Sequence, residues 1–353
     1  MIKLQNKSGR FTLNLALLLF LTVNTESSLA MMKISKADAD TGPGWHKATL
    51  NQSKLKRYFR YFVPTHYHTK MPLVVLLHGG TQSMKKVFKR KAGASKQWPI
   101  LAEKENFILV VPNGTNPNTK KGSGNKQNWN DCRLPEKGKR SSVVANDVDF
   151  ISKLIDLSIS RLKIDSQKVY LTGASNGGMM SYRLAMELPE KITAVAAFIA
   201  NLPVKSECQP TNSPIPIMIF NGTKDPVMPW NGGEIMGDGG SVVSTSKTVK
   251  YWLAVNNADL STKTSYSFDN INKRDKSNIS GVCYLPKINS KDSIKGAKTC
   301  FYQVNGGGHV TPSIAHDTPH WIQKRIIGWQ NKDIESADFA WKFFQNSNMV
   351  SAQ

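Results

Sequence analysis

The chain has 353 residues, 40% of them hydrophobic, and its 47 Lys and Arg against 25 Asp and Glu give a formal net charge of +22. That length allows one large domain with a sizeable core, and no apolar run after the first thirty residues is long enough to indicate a membrane anchor. The positive charge favours acidic partners such as anionic lipid, a polyanionic glycan or nucleic acid.

The start of the chain, residues 1–30, is predicted to be an export signal. A basic start is followed by an apolar stretch over residues 11–23, and small side chains up to Ala30 suit the specificity of a signal peptidase. We therefore expect a secreted or periplasmic protein that has no transmembrane segment after signal removal. The polar residues 31–43 are expected to be ordered poorly. Residues 44–346 are then predicted to form a single domain.

The predicted elements begin with an antiparallel strand over residues 56–63, and the pattern then changes to short apolar runs that alternate with amphipathic segments. Strands are predicted over residues 73–77, 107–111, 168–171, 194–199, 215–220 and 300–304, and helices over 96–105, 145–162, 178–188, 244–255, 319–329 and 334–344. This alternation predicts an α/β fold with a mostly parallel central sheet covered by helices on both faces. In such sheets the active site lies beyond the carboxyl ends of the strands. Residues 257–298 are predicted to be a polar excursion before the last strand.

The four cysteines are Cys132, Cys208, Cys283 and Cys300, and an even count in an exported chain favours disulfides. Cys283 and Cys300 flank a polar loop between two short apolar segments, so a bridge between them is geometrically easy. A bridge between Cys132 and Cys208 would then follow by elimination. Four free thiols are the alternative. A structural zinc site is not expected, because the chain contains no CxxC pair.

The strongest motif is G-x-S-x-G over residues 173–177, placed between a predicted strand and a predicted helix. The turn at this point must be so tight that Ser175 adopts a strained backbone, while Gly173 and Gly177 avoid clashes with the neighbouring strand and helix. The serine hydroxyl would then stand at the edge of the sheet, close to a helix N-terminus. Ser175 is therefore the predicted nucleophile, with a tight structural turn as the alternative.

A serine nucleophile needs a base and an orienting carboxylate, which in this arrangement follow it in the order Ser, Asp or Glu, His. Asp225 lies on the loop after the strand predicted at 215–220, and His309 lies on a glycine loop after the strand predicted at 300–304. Both positions suit a triad with Ser175. The alternatives are an ordinary turn role for Asp225, with Asp238 as the substitute carboxylate, and His316 or His320 as the base.

An ester-cleaving site also needs donors for the developing oxyanion. The backbone N–H groups of Asn176 and Gly80 are predicted to supply them, and Thr81 is the neighbour that could replace Gly80. His78 belongs to the same loop and is expected to order it, because this histidine precedes the nucleophile in the chain.

Four motifs together resemble the secreted poly(3-hydroxybutyrate) depolymerase-like esterases of the α/β-hydrolase superfamily, a group that includes feruloyl and acetylxylan esterases. They are Leu-His-Gly-Gly-Thr-Gln at 77–82, Gly-Ala-Ser-Asn-Gly-Gly-Met-Met at 173–180, Asn-Gly-Thr-Lys-Asp at 221–225 and Gly-Gly-Gly-His at 306–309. The resemblance covers about residues 55 to 345. It implies an α/β-hydrolase fold, a triad of Ser175, Asp225 and His309, and ester hydrolysis through an acyl-enzyme, without a metal or a cofactor.

Two departures from the group affect the substrate expectation. Asn221 stands where members commonly carry His, and residues 310–312 replace a Trp-Pro pair near the rim of the site. The expected substrates are hydroxybutyrate oligomers or feruloyl and acetyl esters, and Trp129 and Trp230 are candidate walls for an aromatic or sugar group, with core packing as the alternative. The alternative functions are a serine peptidase and a non-catalytic basic exported protein that binds an anionic surface. No nucleic-acid partner is expected, because no nucleic-acid-binding module accompanies the basic residues.

Overall fold

A computed structural model describes residues 42–89, 93–134, 145–237, 239–287 and 296–347. The predicted export signal, nearly all of the segment 31–43 and the substitute carboxylate Asp238 lie outside the described residues. Within them, no helix is both long enough and apolar enough to cross a membrane.

A single ten-stranded sheet organises the fold. The strands are β1 (Gly44–Gln52), β2 (Leu55–Val63), β3 (Leu73–Leu77), β4 (Ile108–Pro112), β5 (Val169–Ala174), β6 (Ala194–Phe198), β7 (Ile217–Gly222), β8 (Gly233–Glu234), β9 (Ser241–Val242), β10 (Thr264–Ser267), β11 (Asn278–Tyr284) and β12 (Thr299–Asn305). Their order in the sheet is β1-β2-β4-β3-β5-β6-β7-β12-β11-β10, and β8 pairs separately with β9. In sheet order, the six neighbouring strands β4, β3, β5, β6, β7 and β12 run parallel to one another. The pairings beyond them, of β1 with β2, β2 with β4, β12 with β11 and β11 with β10, are antiparallel.

Helices cover both faces of this sheet. They are α1 (Gln97–Glu105), α2 (Asp147–Arg161), α3 (Asn176–Glu187), α4 (Thr245–Val255), α5 (His320–Ile322) and α6 (Ser336–Gln345). One core packs side chains of α2, α3 and α4 against the sheet, and a second core packs α1 and α6 against its other face. The predicted fold class is confirmed, because strands that are apolar on both sides bury those sides only between two helical layers.

All six strands predicted for the parallel part are present. The antiparallel strand β1 was not predicted, because Leu50 is the one strongly hydrophobic side chain among its inward residues Ala48, Leu50 and Gln52, which gives a faint alternation. The polar stretch 257–298 contributes β10 and β11, which extend the sheet beyond β12.

Two helix boundaries have a visible physical cause. Helix α2 begins at Asp147 rather than at 145 because the side chain of Asn146 accepts a hydrogen bond from the N–H of Asp149. The helix predicted over 319–329 is instead the single turn α5 followed by a π-helical turn, Gln323–Ile327, and it ends at Gly328 with φ 77°.

Two disulfides are present, and they join Cys132 to Cys208 and Cys283 to Cys300. Cys283 and Cys300 are directly opposite each other in the pairing of β11 with β12. The second disulfide therefore ties neighbouring strands together, whereas the first joins two loops that follow different strands.

Candidate active site

Ser175 occupies the tight turn between β5 and α3. Its backbone has φ 58° and ψ −126°, a strained conformation for a residue with a Cβ, and its N–H donates to the carbonyl of Phe198 at 3.0 Å. A Cβ at Gly173 would collide with the backbone of Gly177, and one at Gly177 would collide with the carbonyl of Leu77. The two glycines therefore allow the close approach that the motif requires.

His309 and Asp225 lie on the loops after β12 and β7. Nδ1 of His309 is 2.7 Å from Oδ2 of Asp225, while Oδ1 of Asp225 accepts the N–H groups of Val227 and Met228, both at 2.8 Å. The side chains are 10% and 2% exposed respectively. Because a carboxylate oxygen accepts hydrogen bonds, Nδ1 of His309 is the donor in this contact, and Nε2 takes no part in it.

A cleft of about 500 Å³ is lined by both Ser175 and His309. Much of its wall is apolar, with contributions from Trp98, Met179, Val227, Ile235, Met236 and Val310. In the described part of the chain no hydrogen bond of the Ser175 hydroxyl is found. The hydrogen bond between a nucleophilic serine and its histidine base is often long in a protein without substrate, and it shortens when substrate binds.

The loop after β3 presents Gly80 to the same cleft. The N–H of Thr81 donates to Oδ1 of Asn128 at 2.7 Å and is thereby occupied. No such partner is found for the N–H of Gly80 among the described residues, and Asn176 is the first residue of α3, where a backbone N–H has no partner within the helix. The geometry thus favours Gly80 over Thr81 as the donor paired with Asn176.

The side chain of Asn176 is held by the loop that contains Trp129 and Asp131, a contact that no motif predicts. Its Oδ1 accepts the N–H of Trp129 at 2.8 Å, and its Nδ2 donates to the carbonyl of Trp129 at 3.1 Å and to Oδ2 of Asp131 at 2.5 Å. Asn176 is buried as a result. These bonds fix the beginning of α3, and with it the position of the Asn176 N–H.

Arg133 lines the cleft and was not predicted to be part of the site. Its guanidinium makes two bonds to Asp131, at 2.8 and 2.7 Å, and also donates to the carbonyl of Gly239. The disulfide at Cys132 anchors the residue between them. Arg133 therefore joins two walls of the cleft, and the sequence signal that could have found it is its position directly after a disulfide cysteine.

His78 is fully buried and orders its loop, as predicted from its place before the nucleophile. Its Nδ1 donates to the carbonyl of Gly79 at 2.8 Å, and its Nε2 accepts the N–H of Gly114 at 3.0 Å. Burial lowers the pKa of His78 to about 4. The ring is therefore neutral at physiological pH, and both of its nitrogens are used in structural bonds.

Neither tryptophan proposed as a wall lies in the lining of the cleft. Trp129 is completely buried, and its indole N–H donates to the carbonyl of His78 at 2.9 Å. Trp230 lies beside Phe301, with 6.0 Å between the ring centroids. The wall interpretation is corrected to core packing for Trp129, because a side chain without exposed surface cannot contact a substrate.

The rival histidines have other contacts. Nε2 of His316 is 3.3 Å from Oε1 of Gln97, and the ring of His320 lies 5.2 Å from that of Trp329. Neither residue is part of the lining of the cleft, in contrast to His309.

Asn221, which departs from the related group, is part of a buried amide network. Its Oδ1 accepts the N–H of Ala200 at 3.0 Å, and its Nδ2 donates to Oδ1 of Asn201 at 2.9 Å and to Oγ1 of Thr245 at 3.1 Å. The asparagine thus secures the carboxyl end of β7, three residues after which the loop presents Asp225.

A buried ion pair supports the loop that holds Asn176. The guanidinium of Arg57 on β2 is 2.5 Å from Oδ1 of Asp147, and both side chains are 0% exposed. Oδ2 of Asp147 accepts the N–H of Asn130 at 2.8 Å, and the Arg57 guanidinium lies 4.0 Å from the centre of the Phe150 ring. The pair therefore connects the sheet edge and α2 to the loop beside the nucleophile.

The described residues bring one group of possible metal ligands together, namely Cys132, Glu187 and Cys208. The two sulfur atoms of this group are joined in a disulfide. They are therefore committed to a covalent bond and do not offer thiolates to a metal.

Comparison with known proteins identifies relatives of the same kind as those suggested by the motifs. The family model described as Phospholipase/Carboxylesterase matches residues 61–238. The putative esterase NocK of Nocardia uniformis is 28% identical over 210 residues, which are 56% of each protein. Feruloyl esterase B of Piromyces equi is 30% identical over 169 residues, which are 47% of this chain and 29% of that protein. The matched region thus spans about half or less of these relatives.

A solved structure shows that the fold is shared over most of the chain. The acetyl xylan esterase from Aspergillus awamori superposes with a TM-score of 0.52 and 14% identity, covering 86% of this chain and 99% of the other. The resemblance to the feruloyl and acetylxylan esterase group and the α/β-hydrolase fold are confirmed by these matches together with the family model.

Proposed function

Because the chain belongs to the phospholipase/carboxylesterase family, we propose that it is an exported serine esterase that hydrolyses carboxylic esters through an acyl-enzyme on Ser175. The observation that carries the proposal is the contact between His309 and Asp225 at the wall of the cleft that Ser175 also lines. A nucleophile on a strained turn, a base and an orienting carboxylate are the components that acyl transfer requires.

In the proposed reaction, Nε2 of His309 takes the Ser175 proton as the hydroxyl oxygen attacks the ester carbonyl carbon. The negative oxygen of the tetrahedral intermediate is stabilised by the N–H groups of Gly80 and Asn176, each of which contributes a factor of about 10² to 10³ in rate. The intermediate collapses when His309 returns the proton to the departing alcohol. Water then repeats the attack on the acyl-enzyme, which releases the acid and restores the serine.

Asp225 has a positioning role in this mechanism. Its two carboxylate oxygens are fully occupied, one by His309 and the other by the N–H groups of Val227 and Met228. The carboxylate therefore holds the ring in the tautomer that leaves Nε2 free, and it stabilises the imidazolium that forms when His309 takes the proton.

The proposed substrates are hydroxybutyrate oligomers and feruloyl or acetyl esters. The names of the relatives support the feruloyl and acetyl esters in this range, since they include a feruloyl esterase of Piromyces equi and an acetylxylan esterase/xylanase of Neocallimastix patriciarum. The apolar wall of the cleft suits an acyl group or an aromatic ring.

We further propose that the mature protein is secreted or periplasmic. Two disulfides support an oxidising compartment, because such bonds are uncommon in reducing ones. Mass determination of the amino terminus of the exported protein tests this. Cleavage after Ala30 is the expected result, and an uncleaved chain that stays in the cytoplasm would contradict it.

The esterase proposal is tested by hydrolysis of p-nitrophenyl acyl esters, methyl ferulate, acetylated xylan and hydroxybutyrate oligomers. The Ser175→Ala variant is expected to lose turnover of every substrate that the unaltered protein cleaves, and also to lose labelling by a fluorophosphonate. Ser160→Ala, which changes an exposed serine on α2, is the matched control and should keep both. A folded protein without turnover and without labelling of Ser175 would overturn the proposal in favour of a non-catalytic role.

A further inference from the structure

An unusually one-sided charge distribution marks the first part of the folded chain. Residues 41–102 contain twelve Lys and Arg but no Asp or Glu, although the whole chain has 25 acidic residues. This segment builds β1, β2, β3 and the turn that follows β3. Its positive charge therefore has no acidic neighbour within the segment itself.

The alternation of β1 and β2 directs several of these cations to one side of the sheet. Lys47 and Arg60 are direct partners in the pairing of the two strands, while the adjacent Ala48 and Phe59 are buried on the other side. The Arg60 guanidinium lies 4.1 Å from the centre of the Trp45 ring. Cations and aromatic rings thus share one surface.

The turn after β3 adds its lysines to this surface. Phe88 in the 3₁₀ turn Lys86–Phe88 packs on Trp45, with 5.1 Å between the ring centroids. Val87 in the same turn lines the cleft that contains Ser175. We call the combined surface the basic face and define it by Lys47, Lys56, Arg60, Lys85, Lys86 and Lys89. The basic face is therefore continuous with one wall of the cleft.

The cations of the basic face are not neutralised internally. None of the six takes part in an ion pair with another described residue, and Lys47, Lys56, Lys85 and Lys89 are exposed. Arg57 of the same segment behaves differently, because it is buried against Asp147. A set of cations without ion-pair partners attracts a polyanion and loses that attraction as salt is added.

We propose that the basic face binds an anionic polysaccharide of the polyuronate type and presents esters carried on that chain to Ser175. The inference rests on the proposed esterase function, and it names the class of substrate that the site would take. Sugar hydroxyls carry carboxylic esters, whereas the backbone of a nucleic acid does not. The partly buried rings of Trp45 and Tyr58 lie beside two of these cations and hold them on this surface by cation–π contact.

A membrane surface suits the basic face less well. Stable interfacial binding generally combines cations with apolar side chains that enter the lipid. The large exposed apolar side chains of the described residues begin at Ile100, and none lies among residues 42–89. Charge complementarity without such side chains favours a hydrated polyanion.

The test compares acetylated polygalacturonate with acetylated xylan that carries no uronic acid, at low and high salt. At low salt, the Lys85→Gln/Lys86→Gln/Lys89→Gln variant should lose about tenfold in kcat/KM on the acidic polymer and less than about twofold on the neutral polymer and on p-nitrophenyl acetate. The matched control neutralises three exposed lysines that precede β3, β4 and β5, at the ends of these strands away from the cleft, Lys70→Gln/Lys104→Gln/Lys163→Gln. It should change the rate on either polymer by less than about twofold.

Binding measured without turnover separates this inference from the esterase proposal. The Ser175→Ala variant should bind unacetylated polygalacturonate, and added salt or the three glutamines at 85, 86 and 89 should weaken that binding. Equal rates on both polymers with no effect of salt would overturn the inference. So would equally effective competition by duplex DNA or by vesicles of anionic lipid, because the basic face would then not select a glycan. Turnover of p-nitrophenyl acetate is unaffected by either of these results and reports on the esterase proposal alone.

Discussion

Asp131 accepts a hydrogen bond from the side chain of Asn176, with 2.5 Å between Oδ2 and Nδ2, and so connects a disulfide-anchored loop to the residue after the proposed nucleophile. The same carboxylate accepts two bonds from the guanidinium of Arg133, which lines the cleft. A buried carboxylate with three side-chain donors defines the position of each of them. Asp131 is therefore expected to act on catalysis through the backbone of Asn176, without touching the substrate.

The first prediction concerns this positioning role. Asp131→Ala should lower kcat on p-nitrophenyl acetate by about ten- to a hundredfold, because a small displacement of an oxyanion donor is costly, and KM should change much less. Glu207→Gln is the matched control, since it removes a carboxylate from another arginine, Arg183, outside the cleft lining. A rise in KM with an unchanged kcat would instead indicate that Asp131 acts in substrate binding.

The second prediction concerns Asp225. Asp225→Asn should lower kcat by about 10⁴-fold, since the amide no longer holds His309 in the required tautomer. The far-ultraviolet circular dichroism should be unchanged. Asp317→Asn, which alters an exposed carboxylate paired with Lys332, is the control and should stay within about twofold of the unaltered protein. A loss of less than tenfold at Asp225 would exclude it from the triad.

The third prediction concerns stability as a function of pH. The folded-state pKa of His78 is about 4, whereas the unfolded chain has an ordinary histidine with a pKa near 6.5. As the pH falls from about 6.5 to 4, the unfolded state takes up a proton that the folded state does not, so the free energy of unfolding falls. Between pH 7 and pH 5 this loss is about 2 kcal/mol.

The comparison that isolates His78 is urea unfolding of the unaltered protein and of His78→Gln at pH 7, 6 and 5. The variant is less stable at pH 7, because it loses bonds of the ring to Gly79 and Gly114. Its free energy of unfolding should nevertheless depend less on pH, since glutamine does not titrate. Equal pH dependence in the two proteins would show that the histidine is not held neutral by the fold.

The fourth prediction concerns the buried pair of Arg57 and Asp147. Removing the carboxylate alone, in Asp147→Ala, should cost about 3 to 5 kcal/mol because it leaves a charged guanidinium without its partner in the core. The double variant Arg57→Met/Asp147→Ala should be less destabilised than the sum of the single variants. The coupling is measured by denaturant unfolding of the unaltered protein, the two single variants and the double variant. Strictly additive losses in the free energy of unfolding would contradict the prediction.

The fifth prediction distinguishes the two disulfides. The sequence separation is 76 residues between Cys132 and Cys208 but 17 residues between Cys283 and Cys300. By the chain-entropy relation, replacing both cysteines of a pair by alanine should cost about 4.5 kcal/mol for the first and about 3 kcal/mol for the second. Loss of the first should also lower kcat, because Asp131 adjoins Cys132. The two double variants are each other's controls, and equal effects on kcat would contradict this assignment.

The parallel part of the sheet could be predicted because its signal is local. Most of its strands are short runs of apolar residues that are buried on both sides, as in Leu73–Leu77, and the helices between the strands have their own periodic pattern. The edge strands β1 and β10 have a weaker pattern, because β1 is buried on one side only and β10 is exposed on both sides.

The contacts that hold the site together depend on long separations along the chain. Asn176 is bonded to residues that lie about 45 positions earlier, and Arg57 is paired with a residue 90 positions later. No periodicity or motif encodes such a pair, because each member alone is an ordinary polar residue. Trp129 illustrates the same point, since an aromatic residue in a loop can face solvent or, as here, fill the core.

The sequence by itself determined the fold class, the serine on its turn and the chain positions from which Asp225 and His309 are presented, because strand, turn and helix each have a local chemical signature. Only the tertiary structure decided that the His309 ring bonds to Asp225, that Asn128 occupies the N–H of Thr81 and that cations from separate elements form one basic face. These relationships arise when the sheet brings distant loops to one edge, and the physical reason is that close packing of the two cores fixes the strand order.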